Sequence, residues 1–438
     1  SFDWQNRPNT FSFQSETNDL RDENLNWNVF LKQKVVTGGD YELTFNNRRN
    51  ITNRSSQNLD PLYTSDLQLD LTQPLLKNFG IDNTKREIYI AKNDLKISEY
   101  DFTKKVIDTV SDAESVYWDL VFSIEDLKVK EKSLQRAKDF ENRVRAQVEV
   151  GTLAPLEILQ ALAEVASREE LLLSAGNLIE DTEDNLKNII NVDFNGSHGM
   201  KKVVPLDPPA FEPTQIPELR ELIQEALQKR PEYLAKKVDL ENKNIIVKYN
   251  ENQLFPALDL IGSMGLNGIS GSDTTGLGSP FEGGYDKGLS ETLSTDFFQW
   301  KVGVQLSYPI GNRSAKSRLA ASRLEAAQLL MDMKDLERQI IVEVREADRQ
   351  IETDIKRVQA TRVARKLAQE KLSAEEKKFE VGLSTSFNVL EFQEDVAEEQ
   401  SNEIKAIIDY NKSRIKLRQV MATTLESHNI RTTSNDDS

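Results

Sequence analysis

The strongest constraint on this chain is that one long stretch occurs in it twice. The first copy runs from Gly80 to Gly151 and the second from Gly311 to Gly382, over equal intervals and with no proline or glycine in between. Each copy closes on a short turn: Val150-Gly151-Thr152-Leu153-Ala154-Pro155 in one, Val381-Gly382-Leu383-Ser384-Thr385-Ser386 in the other. A repeat has to be read before any domain count. A continuous helix over such an interval is about 100 Å long, more than a globular core needs, so the chain has something to span. A second helical segment follows each turn, over 156–191 and 387–422. The pattern predicts two long helical hairpins.

The apolar positions support this. Val110, Ala113, Val116, Leu120, Ile124 and Leu127 step by threes and fours, and Ile341, Val344, Ala347, Ile351, Ile355 and Val358 answer them at a constant offset. Such a narrow stripe is a coiled-coil seam. Taken alone, it also fits a coiled-coil spacer or fibre.

Strand patterns precede each hairpin. Leu67, Leu69 and Leu71 alternate with Gln68, Asp70 and Thr72, and Val302, Val304 and Leu306 occupy the matching places before Pro309. A period of two with one apolar face marks a half-buried strand. Leu258, Leu260, Met264 and Leu266 alternate in the same way. The runs Trp27–Val36 and Tyr41–Asn47 flank Thr37-Gly38-Gly39-Asp40, a hairpin turn, and a shorter run surrounds Phe11 and Phe13. Pro205, Pro208, Pro209 and Pro213 exclude a regular helix over 192–216. A helix follows from about Pro217 to Asn252, with a break at Arg230-Pro231. A Gly/Ser/Asp-rich loop is expected over 268–296. Nothing answers the helix at 217–252 before the first strands, so an equivalent is expected upstream of Ser1.

Composition narrows the function classes. The net charge of −16 argues against a nucleic-acid partner. There is no cysteine, and the two histidines, His198 and His428, are far apart. Disulfides and cysteine zinc sites are thereby excluded, and no histidine cluster, phosphate-binding glycine loop or nucleophile elbow is present. The expectation is no enzyme, no catalytic residue, no cofactor and no metal. There is no run of about eighteen apolar residues, the length a membrane helix needs, but barrel strands carry a much weaker signal.

Two strand segments per repeat give about four per chain, too few to close a barrel by themselves. Two chains would give about eight strands with a side-chain-filled lumen, and three about twelve with an open bore. The hairpin at Gly38-Gly39 either adds two strands per chain or extends beside the barrel. Trp300 and Tyr308 sit where an aromatic girdle would lie.

The chain resembles the TolC-like family of trimeric outer-membrane efflux ducts. The residues that carry this are Leu71-Thr72-Gln73-Pro74-Leu75-Leu76-Lys77-Asn78-Phe79-Gly80 and Leu306-Ser307-Tyr308-Pro309-Ile310-Gly311. With them stand the two glycine turns, followed by Ile158-Leu159-Gln160-Ala161 and Val389-Leu390-Glu391, and Ala226-Leu227-Gln228-Lys229-Arg230-Pro231-Glu232 leading to Phe255-Pro256. The resemblance covers nearly the whole chain.

It implies an α+β membrane protein with internal duplication: a transmembrane β-barrel shared between three chains and continued by an α-helical coiled-coil tunnel. Segments 1–79 and 255–310 would then be barrel, the first with an extra hairpin. Segments 80–191 and 311–424 would be the long hairpins, 192–254 a connector with an equatorial helix, and 425–438 a disordered tail. The implied function is the passive exit duct of a tripartite efflux or type I secretion system in the bacterial outer membrane. Its helices would lie in the periplasm, and its partners would be a periplasmic adaptor, an inner-membrane pump of ABC, RND or MFS type, and outer-membrane lipid. The competing reading is a periplasmic coiled-coil structural protein without a pore.

The resemblance also assigns sites. Gly151, Thr152, Leu153, Leu156, Gly382, Leu383, Ser384 and Phe387 would be adaptor-docking tips, with Val389 as a further apolar contact. Glu157, Asn388 and Glu391 would surround the periplasmic aperture, with Leu156, Leu159, Phe387 and Leu390 packing between helices beside them. Asn388 stands where the family carries a carboxylate. Leu67, Leu69, Leu71, Val302, Val304 and Leu306 would face lipid.

Overall fold

The computed structural model describes residues 1–8, 19–194, 196, 199, 201–213 and 216–431. Two compact units emerge, one built from Ser1–Asp94 and Asp239–Leu329, the other from Leu95–Val238 and the chain from Leu330 onward.

The first unit holds a six-stranded sheet of strands β1 (Phe2–Pro8), β2 (Asp19–Lys34), β3 (Asp40–Thr52), β4 (Leu59–Pro74), β5 (Ala257–Asp273) and β6 (Phe298–Ser307). They lie side by side in chain order, and every neighbouring pair is antiparallel. Residues directly opposite one another share a face, so the register shows what each face carries. One rung reads Leu31, Leu43, Leu69, Met264, Trp300, and another Val29, Phe45, Leu67, Leu266, Phe298. The rung between faces the other way and reads Phe30, Thr44, Gln68, Gly265, Gln299. The next on that side reads Lys32, Glu42, Asp70, Ser263, Lys301. One face is apolar and the other polar, with Phe30 an exception on the polar side.

The sequence leaves the Gly38-Gly39 hairpin either adding to the sheet or extending beside it; among the described residues it joins the one six-stranded sheet, because β2 alternates in phase with its neighbours and the turn folds it directly onto β3. Gly38 adopts φ +100°, and a Cβ there would fall 2.3 Å from the Asn78 carbonyl oxygen, so only glycine fits this turn. β2 and β3 outrun their apolar stretches because side-chain hydrogen bonds hold their polar ends: Arg48 Nε donates to Asn24 Oδ1 at 3.0 Å, and Ser65 Oγ to Asn47 Oδ1 at 3.0 Å. The loop expected over 268–296 contains the end of β5 and a helix, α5 (Tyr285–Ser294). That helix is seated by contacts that hydropathy does not register. Thr292 Oγ1 donates to the Ser65 carbonyl at 2.9 Å, and Gly268 lets the backbone of α5 approach the sheet. The strand expected around Phe11 and Phe13 lies outside the described residues.

The second unit is helical. α1 (Ile81–Glu149), α4 (Pro231–Asn252) and α6 (Arg313–Glu380) contribute residues to both units, while α2 (Leu156–Ile189), α3 (Leu219–Lys229), α7 (Ser386–Val420) and α8 (Thr424–Ser427) belong to this one. The break between α3 and α4 falls at Arg230, which is extended, as the residue before a proline prefers. Pro231 then opens α4, where its missing N–H costs nothing.

Near the glycine turns, four helices share one core of Phe140, Val144, Ala161, Leu372, Val389 and Val396. Further along, Leu222 and Ala226 of α3 pack on Ile340, Val344 and Ala347 of α6 and on Val420. In the second stripe Val344, Ala347, Ile351 and Val358 are buried and Ile341 and Ile355 half-buried. In the first, only Leu120 is fully buried. Here the buried line of α1 runs instead through Ile107, Val121, Val129 and Phe140, and it includes the polar Ser111 and Ser123.

The tail expected to be disordered from residue 425 begins with an ordered turn. In α8, Leu425 is buried, Glu426 pairs with Lys229 at 2.7 Å, and Thr424 Oγ1 lies 3.2 Å from Ser111 Oγ. Its polar composition hid two buried positions. Residues 432–438 lie outside the described ones. Among the described residues, no helix is long and apolar enough to cross a membrane.

Candidate functional site

The two glycine turns are built alike. Gly151 and Gly382 both adopt φ +76°, and nothing lies within 4 Å of where a Cβ would stand. The left-handed backbone, not crowding, therefore requires glycine. In each turn, amides just past the helix end return to its last carbonyls. Gly151 N–H donates to Val148 O at 3.0 Å and Thr152 N–H to Gln147 O at 2.9 Å; Gly382 N–H donates to Phe379 O at 3.0 Å and Leu383 N–H to Lys378 O at 2.8 Å. This closes the helix C-terminus within two residues. α7 then opens on Thr385, whose side chain accepts from the Asn388 N–H.

The sequence-predicted tip residues separate into two groups. Leu156, Leu383 and Phe387 are 61%, 79% and 60% exposed, so they remain open for contact. Gly151, Thr152 and Gly382 are exposed as well. Leu153 instead packs against the four-helix core. Val389, expected as a docking contact, is wholly buried in that core and cannot serve as one; it sits on the inner side of the first turn of α7. Ser384 is also committed, since its hydroxyl donates to Glu375 Oε1 at 2.6 Å. That bond, with Lys378 2.9 Å away, holds the Glu375 carboxyl below its usual range.

The aperture residues differ from one another. Glu157 lies in the first turn of α2, where the helix dipole favours a carboxylate. It is half-buried, and its Oε2 is closed off from water without a hydrogen-bond partner. Asn388 is half-buried, and its Nδ2 donates to Ser384 Oγ at 3.4 Å. Glu391 is exposed. Of the four apolar neighbours expected to pack between helices, Leu390 does so within the chain, whereas Leu156, Leu159 and Phe387 are exposed.

Sequence reasoning missed Arg168. It is 3% exposed on α2, and donates to the carbonyls of Ser133 on α1 and Leu390 on α7, both at 3.1 Å. Glu164, one turn before it, accepts from its Nε at 2.7 Å. The only sequence signal was that Glu-x-x-x-Arg spacing, which reads as a surface pair.

On the sheet, all six residues expected to face lipid lie on the apolar face. Val302, Val304 and Leu306 are 68%, 65% and 68% exposed, because β6 is a free edge. Among the described residues no group of histidine and carboxylate side chains is placed to hold a metal.

The sequence matches the outer membrane efflux protein family over residues 42–192 and 222–423. No curated protein matches it. Several solved structures are similar in fold. The CmeC outer membrane channel of Campylobacter jejuni aligns with 92% of this chain and 78% of its own at 15% identity and TM-score 0.61. The outer membrane protein VceC of Vibrio cholerae aligns with 94% and 87% at 14% identity and TM-score 0.64. The open-state MtrE outer membrane channel of Neisseria gonorrhoeae aligns with 92% and 80% at 14% identity and TM-score 0.62.

Proposed function

Because the chain belongs to the outer membrane efflux protein family, its work is efflux across the outer membrane, and we propose that three copies close one shared β-barrel there and one helical tunnel in the periplasm. The observation that carries this is the two-faced sheet with free edges. An apolar face such as Leu31, Leu43, Leu69, Met264 and Trp300 suits lipid, and the Lys32, Glu42, Asp70, Ser263 and Lys301 rung behind it suits a wet lumen. In lipid every backbone polar group needs a partner, so an open edge has to be closed by another strand. The successive hairpins α1–α2 and α6–α7, whose turns share a left-handed glycine at φ +76° and the same closing bonds, support an internal duplication.

On this reading the protein is a passive exit duct. It carries out no chemistry, and energy comes from an inner-membrane pump reached through a periplasmic adaptor. The exposed Leu156, Leu383 and Phe387 at the turns fit an apolar adaptor contact. Glu157, Asn388 and Glu391, just beyond the turns, would line the tunnel mouth. The test is purification followed by planar-bilayer recording. A duct requires detergent, runs as a trimer and conducts ions. A protein that stays soluble without detergent and shows no conductance would be a coiled-coil scaffold instead.

A further inference from the structure

We propose, building on the shared-barrel reading, that α5 and the strand residues beneath it form a contact site on the outside of the barrel for the headgroups of outer-leaflet lipid, with Arg49 taking a lipid phosphate. The other places for a helix between two barrel strands are inside the bore or above its rim. Three features favour the outside.

The first is the face that α5 covers. Ser65 of β4 and Gly268 and Ser270 of β5 share strand parity with Leu67 and Leu266, so they belong to the apolar face. α5 lies on these residues. Thr292 Oγ1 donates to the Ser65 carbonyl at 2.9 Å, and Ser270 Oγ to the Gly284 carbonyl, just before α5, at 2.8 Å. A Cβ on Gly268 would fall 2.2 Å from the Gly288 carbonyl oxygen. Tyr285 reaches the same face of β3, where its hydroxyl donates to Asn47 Oδ1 at 2.7 Å. Asn47, Ser65 and Ser270 are all buried, so the helix seals polar groups that lipid could not satisfy.

The second is height. On β5 the apolar face runs from Leu258 through Leu260 and Met264 to Leu266 before it meets Gly268. That stretch is about nine residues, the length of a tilted strand across the hydrocarbon layer. α5 therefore begins where the lipid chains end. It does so at the end of the sheet away from Pro74, after which the chain passes into α1. With the helices in the periplasm, that end is the external one. The rings of Tyr63 and Tyr285 meet there with centroids 6.2 Å apart. Tyrosines gather at the boundary of membrane and water because their bodies are apolar and their tips polar. α5 carries an exposed Asp286, a Lys287–Glu291 pair at 2.8 Å and an exposed Leu293. The charges keep it out of the hydrocarbon, and such a mixture suits a helix lying in the headgroup layer.

The third is Arg49. It stands opposite Tyr63, on the apolar face and at the height of α5. It is half-buried, its Nε is closed off from water without a hydrogen-bond partner, and no carboxylate among the described residues pairs with it. Its neighbour Arg48, on the polar face, is held through Nε and Nη2 by Asn24 Oδ1. A guanidinium on the lipid side without a counter-charge calls for an anion. At the headgroup layer that anion is a lipid phosphate, which the fork can take in two parallel bonds.

Because the chain contains no cysteine, a single introduced thiol reports without background. A small fluorophore is placed on Leu293→Cys, Val302→Cys or Gln305→Cys of the whole protein in phosphatidylcholine vesicles. The vesicles carry a nitroxide lipid labelled either at its headgroup or deep in its chain. Leu293 should be quenched severalfold more by the headgroup nitroxide than by the chain nitroxide, Val302 the reverse, and Gln305 by neither. Leu293 quenched by neither, with Val302 still following the chain nitroxide, would overturn the placement of α5 and leave the barrel standing. Val302 quenched by neither would instead sink the shared barrel itself. The Arg49 contact is read as lipid A retained when the protein is extracted from outer membranes in mild detergent. Wild type and Arg48→Gln should retain equal amounts, and Arg49→Gln severalfold less. Equal retention by all three, or equal loss from both variants, would remove Arg49 from the contact. Displacement of the lipid by excess inorganic phosphate would show a site for free phosphate and overturn the lipid assignment.

Discussion

Arg168 on α2 donates a hydrogen bond from Nη2 to the main-chain carbonyl of Leu390 on α7, 3.1 Å away. From the same guanidinium, Nη1 reaches the Ser133 carbonyl on α1 at 3.1 Å, and Nε pairs with Glu164. One buried side chain therefore ties a helix of the first hairpin to its partner and to the second hairpin. Arginine suits this because its fork presents several donors in fixed directions, which a lysine ammonium does not.

Removing that side chain leaves buried acceptors without donors, and breaking a buried charged pair costs about 3–5 kcal/mol. Arg168→Ala should lower the melting temperature of the helical signal in far-UV circular dichroism. Arg168→Lys should recover less than half of the loss, since one ammonium cannot serve both carbonyls and Glu164. Full recovery by lysine would show that charge alone, not the forked geometry, is needed.

The sheet makes a sharper contrast between neighbours. Val304 stands opposite Leu260 on the apolar face, and Gln305 opposite Asp259 on the polar one. A charge on the lipid side of a barrel costs about 2–4 kcal/mol at mid-membrane. Val304→Arg should cut the yield of folded protein in outer membranes several-fold. Gln305→Arg should leave yield unchanged and shift single-channel ion selectivity toward anions. Equal loss of yield from both would remove the face assignment.

These cases also mark what the sequence allowed one to read. Period-two alternation put Val304 and Leu69 on one face of the sheet, as the register does, because a strand has only two faces and one wrong step reverses everything. The second helical stripe was legible because its buried positions Val344, Ala347 and Ile351 are themselves apolar and step by threes and fours. In α1 the stripe was misplaced, because the buried line includes Ser111, Ser123 and Glu141, which hydropathy places outside. Val389 and Phe387 show the limit at the tips. They are two residues apart and both apolar, yet one is wholly buried and the other exposed. Only the angle at which α7 leaves its turn decides between them. α5 was invisible because glycines and a threonine hydroxyl hold it, not an apolar stripe.

The Ser384–Glu375 bond gives the second tip a dependence on pH. The Ser384 hydroxyl, and after it Lys378, holds the Glu375 carboxyl below its ordinary value. A depressed carboxyl contributes stability above its unfolded pKa, about 4.3, and loses that contribution as the pH falls through the lower folded value. A spin label on Leu383→Cys should therefore be restrained at neutral pH and become mobile below about pH 4. In a Glu375→Gln background its mobility should no longer follow pH. A label that loosens equally in both backgrounds would show that some other group controls the turn.

The last prediction concerns the tunnel mouth. Glu157 and Gln160 are one helical turn apart on α2, as Asn388 and Glu391 are on α7, so each pair shares a face. Glu157 has one carboxylate oxygen shut away from water without a partner, while Glu391 is exposed. Three chains would bring about six such carboxylates around one axis, and rings of carboxylates favour cations. A narrow opening between low-dielectric walls concentrates their field. Asn388 contributes no charge and is engaged with Ser384, so the ring holds fewer charges than a fully acidic one would. The closed duct should therefore be cation-selective and blocked by a trivalent cation applied from the periplasmic side. Single-channel recording would compare wild type with Glu157→Gln, Glu391→Gln and the double variant. Each single change should weaken the block and the double change should weaken it by about tenfold, equivalent to roughly 1.4 kcal/mol. Block and selectivity unchanged in the double variant would place both glutamates on the outer, solvated side of the helices, and Glu157 would then act only on the dipole at the start of α2.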